Sequence, residues 1–394
     1  MRAYLDHAAT SPLRLEALAA MLPYLEGPAG NASSAHAEGR RARTALDEAH
    51  ETIAACLGAT AREIVLTSGG TESINLALKG AAWAAKARGN QLITTAVEHH
   101  AVLHTLRHLE KFGFEVVELP VDRYGRLDPD QLGAAISDRT VLVSLQLANN
   151  EVGTIQPVAE ALARVRHHKG ILVHLDAVAA APSVRIDLGA LEVDLLSVAG
   201  HKVEGPAGSG ALFIRRGTTL MPQEHGGSQE RYRRAGTEDV AAAVGFATAF
   251  RLAVAEIEAT RRQLRRMRER LGAAVTVLPG VELTGHPRER LPGLVSVVAQ
   301  DVDGAAAVAA LDLAGVAAST GSACTTGSPE PSHVLTAMGF PEEEARGALR
   351  FSLGRTTSEA ELAAALQVVP RTLAEQRQGQ AALAADPLGQ GSPA

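Results

Sequence analysis

Between about residue 62 and residue 215, short apolar runs alternate with segments of helical periodicity. The apolar runs are rich in Val, Ile and Leu and lack the polar alternation of a strand with one face in water, so each strand is expected to be covered on both faces. Such strand–helix alternation predicts an α/β fold with a mostly parallel sheet between two layers of helices. The predicted strands are residues 63–67, 91–97, 115–119, 140–146, 170–176, 194–198 and 210–214.

Helical periodicity fills the gaps between these strands and continues after them. A long helix is predicted over residues 239–271, and acidic residues interleave with its Arg-rich end, which favours a solvated helix face over a nucleic-acid surface. From residue 273 the pattern is typical of a smaller α+β unit, in which residues 275–278 are predicted to form a strand. The helices predicted between the strands are residues 71–87, 100–112, 128–137 and 158–168.

Charge and cysteine content limit the classes of function. The chain has 38 Lys and Arg residues against 44 Asp and Glu residues, a net charge of −6, which argues against direct binding to nucleic acid or to an anionic membrane. We expect no signal peptide, and the apolar runs are too short to span a bilayer. Two cysteines, Cys56 and Cys324, are too few for a disulfide framework, so a cytoplasmic location is predicted. No metal site is predicted.

Polar residues stand at or after the ends of five predicted elements, where α/β proteins bind their ligands. Each has an ordinary explanation by itself: a lysine there is usually solvated, an aspartate can cap a helix, and an asparagine suits a turn. Together they predict one cleft, with a lysine that could form a Schiff base and a helix start at residues 67–72 that suits phosphate. The five residues are Thr71, His99, Asn150, Asp176 and Lys202.

The two cysteines stand in different kinds of segment. Cys324 lies in the small, hydroxyl-rich run 319–325, where a thiol is a candidate nucleophile. A free cysteine is more often a small core residue, but these Gly, Ser and Thr neighbours are not typical of a core. Cys56, in the apolar stretch 46–57, does fit a core and has no predicted role. A reactive lysine together with a nucleophilic thiol indicates amino-acid chemistry on a carbonyl cofactor.

Landmarks from residue 4 to about residue 355 resemble the cysteine desulfurases of the NifS/IscS kind, in the class V aminotransferase group of fold-type I pyridoxal-phosphate enzymes. The resemblance implies a large cofactor-binding domain with a seven-stranded sheet, residues 14–255. It also implies a smaller α+β C-terminal domain, residues 1–13 and 256–376, while the Gln- and Gly-rich residues 377–394 are predicted to be a disordered tail. Landmarks include Tyr4-Leu5-Asp6-His7, Asn149-Asn150-Glu151, Asp176-Ala177, Gly200-His201-Lys202, Arg234-Ala235-Gly236-Thr237-Glu238 and Leu349-Arg350-Phe351-Ser352.

The same resemblance implies a role for each site residue. Lys202 would hold pyridoxal 5'-phosphate, Asp176 would pair with the ring nitrogen, and His99 would stack on the ring. Cys324 would accept the sulfur of L-cysteine as a persulfide and pass it to an acceptor protein, such as an iron–sulfur scaffold or a tRNA-thiolation protein. The other implied roles are Asn150 at the ring hydroxyl, Gly70, Thr71 and His201 at the phosphate, Thr237 from the second subunit of a homodimer, and Arg350 and Asn31 at the substrate.

Two positions depart from the family's pattern, and they motivate an alternative. Ala179 stands where the family carries Gln, and Ala199 stands where it carries Ser. Each change removes a hydrogen bond worth roughly 1.5–3 kcal/mol when one partner is charged, so weaker cofactor retention is expected. A non-catalytic homologue is therefore one alternative, although Lys202, Asp176 and Cys324 are intact. The other alternative is a selenocysteine lyase or another enzyme of the class V aminotransferase type. Cys324 argues against a transaminase, because a transaminase needs no cysteine in this segment.

Overall fold

The computed structural model describes residues 2–28, 30–321 and 331–385 of the chain. In these ranges the strands are β1 Ala3–Tyr4, β2 Ile64–Thr67, β3 Gln91–Thr95, β4 Glu115–Leu119, β5 Thr140–Gln146, β6 Leu172–Asp176, β7 Leu195–Ala199, β8 Gly210–Ile214, β9 Val281–Leu283, β10 Leu294–Ala299, β11 Val316–Ala317, β12 Ser319–Thr320 and β13 Ala348–Ser352. The α-helices are α1 Leu15–Leu25, α2 Ala37–Leu57, α3 Gly70–Ala85, α4 His100–Glu110, α5 Pro129–Ala135, α6 Val158–Arg166, α7 Val240–Thr276, α8 Gly304–Leu313, α9 His333–Ala337, α10 Glu342–Ala345 and α11 Glu359–Ala385.

The large sheet has seven strands in the order β2-β8-β7-β6-β5-β3-β4. The strands from β7 to β4 are parallel to one another, whereas β8 runs antiparallel between β2 and β7. The prediction of a mostly parallel, seven-stranded sheet is therefore confirmed, and each strand lies within its predicted range or one residue beyond it.

Helices cover both faces of this sheet, because each strand points alternate side chains into two apolar layers. On one face, Ile93 of β3 and Val143 of β5 belong to a core that includes α2, α6 and α7. On the other face, Leu92 and Leu142 belong to a core that includes α3 and α4. Burial on both faces explains why these strands appear in the sequence as continuous apolar runs.

A smaller unit contains elements from both ends of the described chain. Its antiparallel sheet has the order β12-β13-β10-β9, and β1 pairs in parallel with β11 beside it. The helices α8 and α11 and the C-terminal half of α7 pack around the buried Phe351 of β13. The N-terminal strand thus lies with the C-terminal elements, while the division into domains at residues 13 and 255 stays a prediction.

The end of the long helix differs from the prediction. The predicted strand at residues 275–278 is wrong, because α7 continues to Thr276 and the next strand, β9, begins at Val281. Residues of α7 keep helical spacing up to this end, so the core holds the segment as a helix. The buried residues of this stripe are Leu264, Met267, Leu271 and Val275.

Two further observations concern the long helices. The last helix, α11, extends to Ala385, beyond the predicted boundary at residue 376, and residues 386–394 lie outside the described part of the chain. By length and composition alone, the helix α7 is long and apolar enough to span a membrane. The mean hydropathy of its most apolar 18-residue window is 1.7. That window is 56% buried within the protein, and α7 packs against α1 and α2 as a core helix does.

The register of the parallel strands aligns the residues that end them. Gln146 of β5, Asp176 of β6 and Ser197 of β7 lie side by side at the carboxyl edge of the sheet. The helices α3 and α4 begin shortly after β2 and β3 and start near the same edge. The fold thereby gathers the ends of several strands and two helix starts around one space.

Candidate active site

A cavity opens at this carboxyl edge. Its walls come from the segments that follow strands of the large sheet and from β13 of the smaller sheet, so it lies between the two units. The structure brings most of the predicted site residues to it. The predicted residues that line the cavity are Gly70, Thr71, His99, Asn150, Asp176, His201, Lys202 and Arg350.

Lys202 enters the cavity from a turn of 3-10 helix, Gly200–Val203, that directly follows β7. The turn ends at Glu204, whose left-handed φ of 63° redirects the chain. The Nζ atom of Lys202 donates hydrogen bonds to the backbone carbonyl oxygens of Ala8 and Ala9, at 2.9 Å for Ala9. These two hydrogen bonds hold Nζ at a defined position in the cavity wall.

Asp176 presents a buried carboxyl group at the end of β6. Its Oδ1 accepts a hydrogen bond from the backbone N–H of Val178 at 2.9 Å. Burial raises the pKa of Asp176 to about 6, although the Val178 N–H and the charge of Lys202 both act to lower it. A cation placed against this carboxylate would stabilise the charged form, so the position suits a protonated ring nitrogen.

His99 is held as a neutral imidazole with a defined tautomer. It is the N-cap of α4, and its Nδ1 accepts a hydrogen bond from the backbone N–H of Ala101 at 3.0 Å. Because Nδ1 is the acceptor, the proton of the neutral ring resides on Nε2. Burial and, after it, the charge of Lys202 lower the pKa of His99 to about 4. The ring is therefore neutral near pH 7.

The start of α3 forms another wall of the cavity. Gly69, with a φ of 149°, and Gly70 lead from β2 into the helix, and a Cβ atom on Gly70 would lie only 2.7 Å from Cγ2 of Val178. In the described part of the chain no side chain caps this helix start. Its first amide groups and the helix dipole therefore suit an anion such as phosphate. Thr71, the second residue of this helix, and His201 also line the cavity.

Arg350 reaches the cavity from β13 and is 1% exposed. Its Nη1 donates to the backbone oxygen of Asn150 and its Nη2 to Oδ1 of Asp6, each at 3.0 Å. Its Nε has no acceptor among the residues that the structure describes. A buried guanidinium with an unfilled donor is suited to bind the carboxylate of a small substrate.

Two of the predicted site residues that the structure describes, Asn31 and Thr237, do not line this cavity in the single chain. Asn31 is exposed, and its Oδ1 accepts a hydrogen bond from the backbone N–H of Ser33 at 2.8 Å. Thr237 is exposed and lines a separate pocket beside Ser68. Cys324 lies outside the described residues. The roles of these three residues stay predictions.

The two departures from the family pattern lie in the cavity wall. Ala179 and Ala199 both line the cavity, where each presents a methyl group in place of a polar side chain. Ala179 also lines an adjoining cavity, as does Lys202. The wall near the lysine is therefore more open and less polar than a glutamine at position 179 would make it.

Two buried glutamates close to the cavity were missed from the sequence. Oε1 of Glu98 accepts hydrogen bonds from Thr95 Oγ1 at 2.8 Å and from the backbone N–H of Gln146 at 3.0 Å. Burial raises the pKa of Glu98 to about 8 and that of Glu151 to about 7. Glu98 directly precedes His99 in the chain, and Glu151 directly follows Asn150. This adjacency to predicted site residues is the sequence feature that could have pointed to the two glutamates.

Comparison with known proteins identifies the family. The model of the aminotransferase class-V family matches residues 3–364. A cysteine desulfurase IscS of Methanosarcina thermophila is 47% identical over 374 residues, which cover 95% of this chain and 92% of that protein. An IscS-like cysteine desulfurase of Mycobacterium tuberculosis is 46% identical over 97% of this chain and 98% of its own length. A solved NifS-like protein matches with a TM-score of 0.90 and 36% identity, over 95% of this chain and 100% of its own. The chain therefore belongs to the class-V aminotransferase family and, within it, to the cysteine desulfurases.

Proposed function

We propose that this chain converts L-cysteine to L-alanine and accepts the sulfur on Cys324 as a persulfide, with pyridoxal 5'-phosphate bound at Lys202. The observation that carries the proposal is the meeting of Lys202, Asp176 and Arg350 in one cavity. A lysine amine, a buried carboxylate and a guanidinium are the groups needed to hold a carbonyl cofactor and an amino acid side by side. Relatives named as cysteine desulfurases support L-cysteine as the substrate.

The residues of the cavity fit this cofactor. The buried carboxyl of Asp176 suits the ring nitrogen, and the start of α3 at Gly70 suits the phosphate, because it has room only for a glycine and no side-chain cap among the described residues. When bound, pyridoxal phosphate supplies an electron sink for negative charge at the Cα of an amino acid. The other residues proposed to hold it are Thr71, His99, Asn150 and His201.

Residues of the chain bind the substrate and move its protons. The open Nε of Arg350 binds the carboxylate of L-cysteine and so orients its Cα toward Lys202. The Nζ of Lys202 removes the Cα proton as a general base. His99 stays neutral and keeps a proton on Nε2, where it can exchange protons with the substrate.

Cys324 takes the sulfur from the substrate in the proposed second half of the reaction. Its thiolate attacks the substrate sulfur, so an S–S bond forms while the Cβ–S bond breaks. The electron pair of the broken bond stays with the carbon skeleton, which takes up one proton at Cβ, regains the proton removed from Cα and leaves as L-alanine. The chain then holds one extra sulfur atom on Cys324, ready for transfer to an acceptor thiol.

We extend the proposal to the assembly and its partners. Thr237 is exposed and lies outside the cavity of its own chain, as expected of a residue that completes the phosphate site of a second subunit in a homodimer. Asn31 is proposed to contact the substrate once the assembly and ligands are in place. The acceptor of the persulfide is an iron–sulfur scaffold or a tRNA-thiolation protein, and the location is the cytoplasm.

The test compares wild-type protein with Cys324→Ala in the presence of L-cysteine and an excess of a thiol reductant, which releases the outer sulfur of the persulfide as sulfide. Wild type is expected to absorb at roughly 390–430 nm, where bound pyridoxal phosphate absorbs, and to form alanine and sulfide in equal amounts. Cys324→Ala is expected to keep this absorbance and to lose persulfide formation, since its site is intact but lacks the sulfur acceptor. Sulfide output from Cys324→Ala at the wild-type rate would contradict the proposal.

Two controls separate the alternatives. Cys56→Ala, which alters the other cysteine, is expected to match wild type, because Cys56 lies outside the cavity and burial raises its pKa to about 11. Activity on selenocysteine but not on L-cysteine would indicate a lyase instead. A protein that stays colourless and inert with added pyridoxal phosphate would indicate the non-catalytic homologue, as the methyl groups of Ala179 and Ala199 would then have abolished binding.

A further inference from the structure

A further cavity, called here the amino-edge cavity, lies at the opposite edge of the large sheet from the candidate active site. Leu172 at the start of β6 and Asp194, directly before β7, line it, whereas Asp176 at the end of β6 lines the active-site cavity. Since a strand rises about 3.3 Å per residue, the two ends of β6 are roughly 13 Å apart. The two cavities share no lining residue in the described part of the chain.

Arginines dominate the wall of the amino-edge cavity. They reach it from three places: the segment after α3, the end of α6 and the turn after β8. Among the described residues that line it, Asp194 is the one with an acidic side chain. The whole chain has a net charge of −6, so this concentration of positive charge is a local feature. The four arginines are Arg88, Arg166, Arg215 and Arg216.

Two of these arginines are held by the protein itself. Arg166 donates from Nη2 to Oδ2 of Asp194 at 3.0 Å and from Nη1 to the backbone oxygen of Ile171 at 3.2 Å. Arg215 donates from Nε to the backbone oxygen of Val193 at 2.6 Å. These bonds give both guanidinium groups a defined position in the wall.

The other two arginines keep donors for a ligand. Arg88 is exposed and donates from Nη1 to the backbone oxygen of Gly170 at 2.6 Å, while its Nε and Nη2 bond to no described residue. The side chain of Arg216 is also exposed and forms no hydrogen bond or ion pair with the described residues. Its backbone N–H donates to Oε1 of Glu63 at 2.9 Å, which fixes the chain at this point.

Negative groups near the cavity do not cancel its positive charge. The helices α3 and α6 both end at this edge, and a helix C-terminus carries only about half a negative charge. Glu63 and Glu192 lie nearby but do not line the cavity. The side chain of Glu192 is 76% exposed, so water and salt screen its charge. Within the wall itself, four guanidinium groups thus face the single carboxylate of Asp194.

This set of donors suits phosphate groups. A guanidinium binds phosphate with paired N–H donors, and a phosphate group carries about −1.5 to −2 charge and three acceptor oxygens, more than a carboxylate offers. Two arginines with open donors suit two such groups, and the hydroxyls of Thr218 and Thr219 line the same wall. No aromatic side chain lines the cavity among the described residues, so the wall offers no surface on which a nucleobase stacks.

We propose that the amino-edge cavity is a binding site for a diphosphate group, which Arg88 and Arg216 hold through charge-assisted hydrogen bonds. The site is separate from the cavity that carries the proposed function, and it does not depend on that function.

The test titrates the protein loaded with pyridoxal phosphate with inorganic pyrophosphate, by isothermal calorimetry at low ionic strength, where screening is weak. The bound cofactor occupies the proposed phosphate position at the start of α3, so the heat reports on other sites. Wild type is expected to bind a single pyrophosphate. Arg88→Ser and Arg216→Ser are each expected to weaken this binding about tenfold, as for the loss of a hydrogen bond to a charged group, and the double variant is expected to abolish it.

Arg262→Ser is the matched control, because it removes the same charge from an exposed position of α7 outside the cavity. Its affinity for pyrophosphate is expected to equal that of wild type. A titration with ADP distinguishes the two sources of the diphosphate group. Equal affinities for ADP and pyrophosphate, the expected result, support a site that contacts the diphosphate alone, whereas tighter binding of ADP supports a site for a nucleotide.

Three outcomes would overturn the inference. Wild type that takes up no pyrophosphate would show that the arginines serve only the fold. An equal loss of affinity in Arg262→Ser and in the two cavity variants would show a general attraction to positive surface. A fall in the cofactor absorbance at roughly 390–430 nm during the titration, with unchanged affinity in Arg88→Ser and Arg216→Ser, would place the anion at the start of α3 instead.

Discussion

Burial shifts the pKa values of the acidic and the basic side chains around the cavity in opposite directions. Burial favours the uncharged form, so it raises the pKa of Glu98 to about 8 and that of Asp176 to about 6. It lowers the pKa of His99 and that of His201 to about 4. Near pH 7 both histidines are therefore neutral and Glu98 is mostly protonated, which leaves few charges to compete with a bound amino acid.

Glu98→Gln is expected to stabilise the protein at alkaline pH. The pKa of Glu98 is higher folded than unfolded, so the folded state binds more protons, and wild-type stability falls as the pH rises from about 4.5 to about 8. Glutamine keeps the Oε1 acceptor for Thr95 and Gln146 and does not titrate. The melting temperature of the variant should exceed that of wild type by about 2–4 °C at pH 8 and match it near pH 5.

The control for this prediction is Glu110→Gln, which changes an exposed glutamate of α4. It should leave the melting temperature unchanged at both values of pH, because its carboxylate is solvated in both states. If the variant at Glu98 melted below wild type at pH 8, the carboxyl group would be ionised in the folded protein and the argument from burial would be wrong.

Among the strands, β6 is joined to both of its neighbours by one side chain. His174 is fully buried, and its Nδ1 and Nε2 each form a hydrogen bond of 2.9 Å, with Ser144 Oγ of β5 and Ser197 Oγ of β7. Burial lowers the pKa of His174 to about 3, so the ring is neutral. It points to the same face as Asp176, two residues later, and thus helps to fix the strand that carries the carboxylate.

His174→Ala is expected to destabilise the protein by about 3 kcal/mol, from the cavity left behind and from two serine hydroxyls that lose their partner. Urea unfolding at pH 7 measures this change. His168→Ala, at an exposed position before β6, should change stability by less than about 0.5 kcal/mol. A loss below about 1 kcal/mol in His174→Ala would show that the serines find other partners and that this bridge does not hold the strands.

At the scale of the whole molecule, a partly buried network of ion pairs joins the large sheet, α7 and the smaller unit. Arg14, 3% exposed, donates from Nε to Glu204 at 3.0 Å and from Nη1 and Nη2 to the two carboxylate oxygens of Glu256 in α7. Arg355, after β13, donates to the same oxygen of Glu204 at 2.8 Å. Because Glu204 follows Lys202 by two residues, this network sets the position of the lysine turn relative to the smaller unit.

Glu204→Gln is expected to lower the free energy of unfolding by about 3 kcal/mol, because it leaves the buried guanidinium of Arg14 with one carboxylate fewer. The matched control is Asp47→Asn, which breaks the exposed pair between Asp47 and Arg43 at 2.7 Å and should change stability by less than about 1 kcal/mol. Urea unfolding of both variants gives the comparison. Equal losses of stability in the two variants would mean that burial does not strengthen the ion pair between Glu204 and Arg14.

Local signals in the sequence were enough to place the strands of the large sheet and several site residues. Apolar runs mark β2 to β8 because both faces are buried, and Lys202, Asp176 and His99 stand directly at or after strand ends, where a sheet edge binds ligands. The end of α7 at Thr276 could not be predicted from local signals, because Val275 is as common in strands as in helices. Only its packing beside Leu271 in the core shows that it belongs to the helix.

Contacts between distant parts of the chain left no local pattern. Asp6 and Arg350 are separated by 344 positions, and Glu151 and Ser332 by 181, yet each pair forms a hydrogen bond in the fold. Burial is likewise a property of the packed molecule, so the raised pKa of Glu98 depends on neighbours that its own segment does not specify. The chain's residue types and their order thus predict the family, the sheet and the candidate site residues, whereas packing alone settles the partners of these residues, their protonation and their distance from one another.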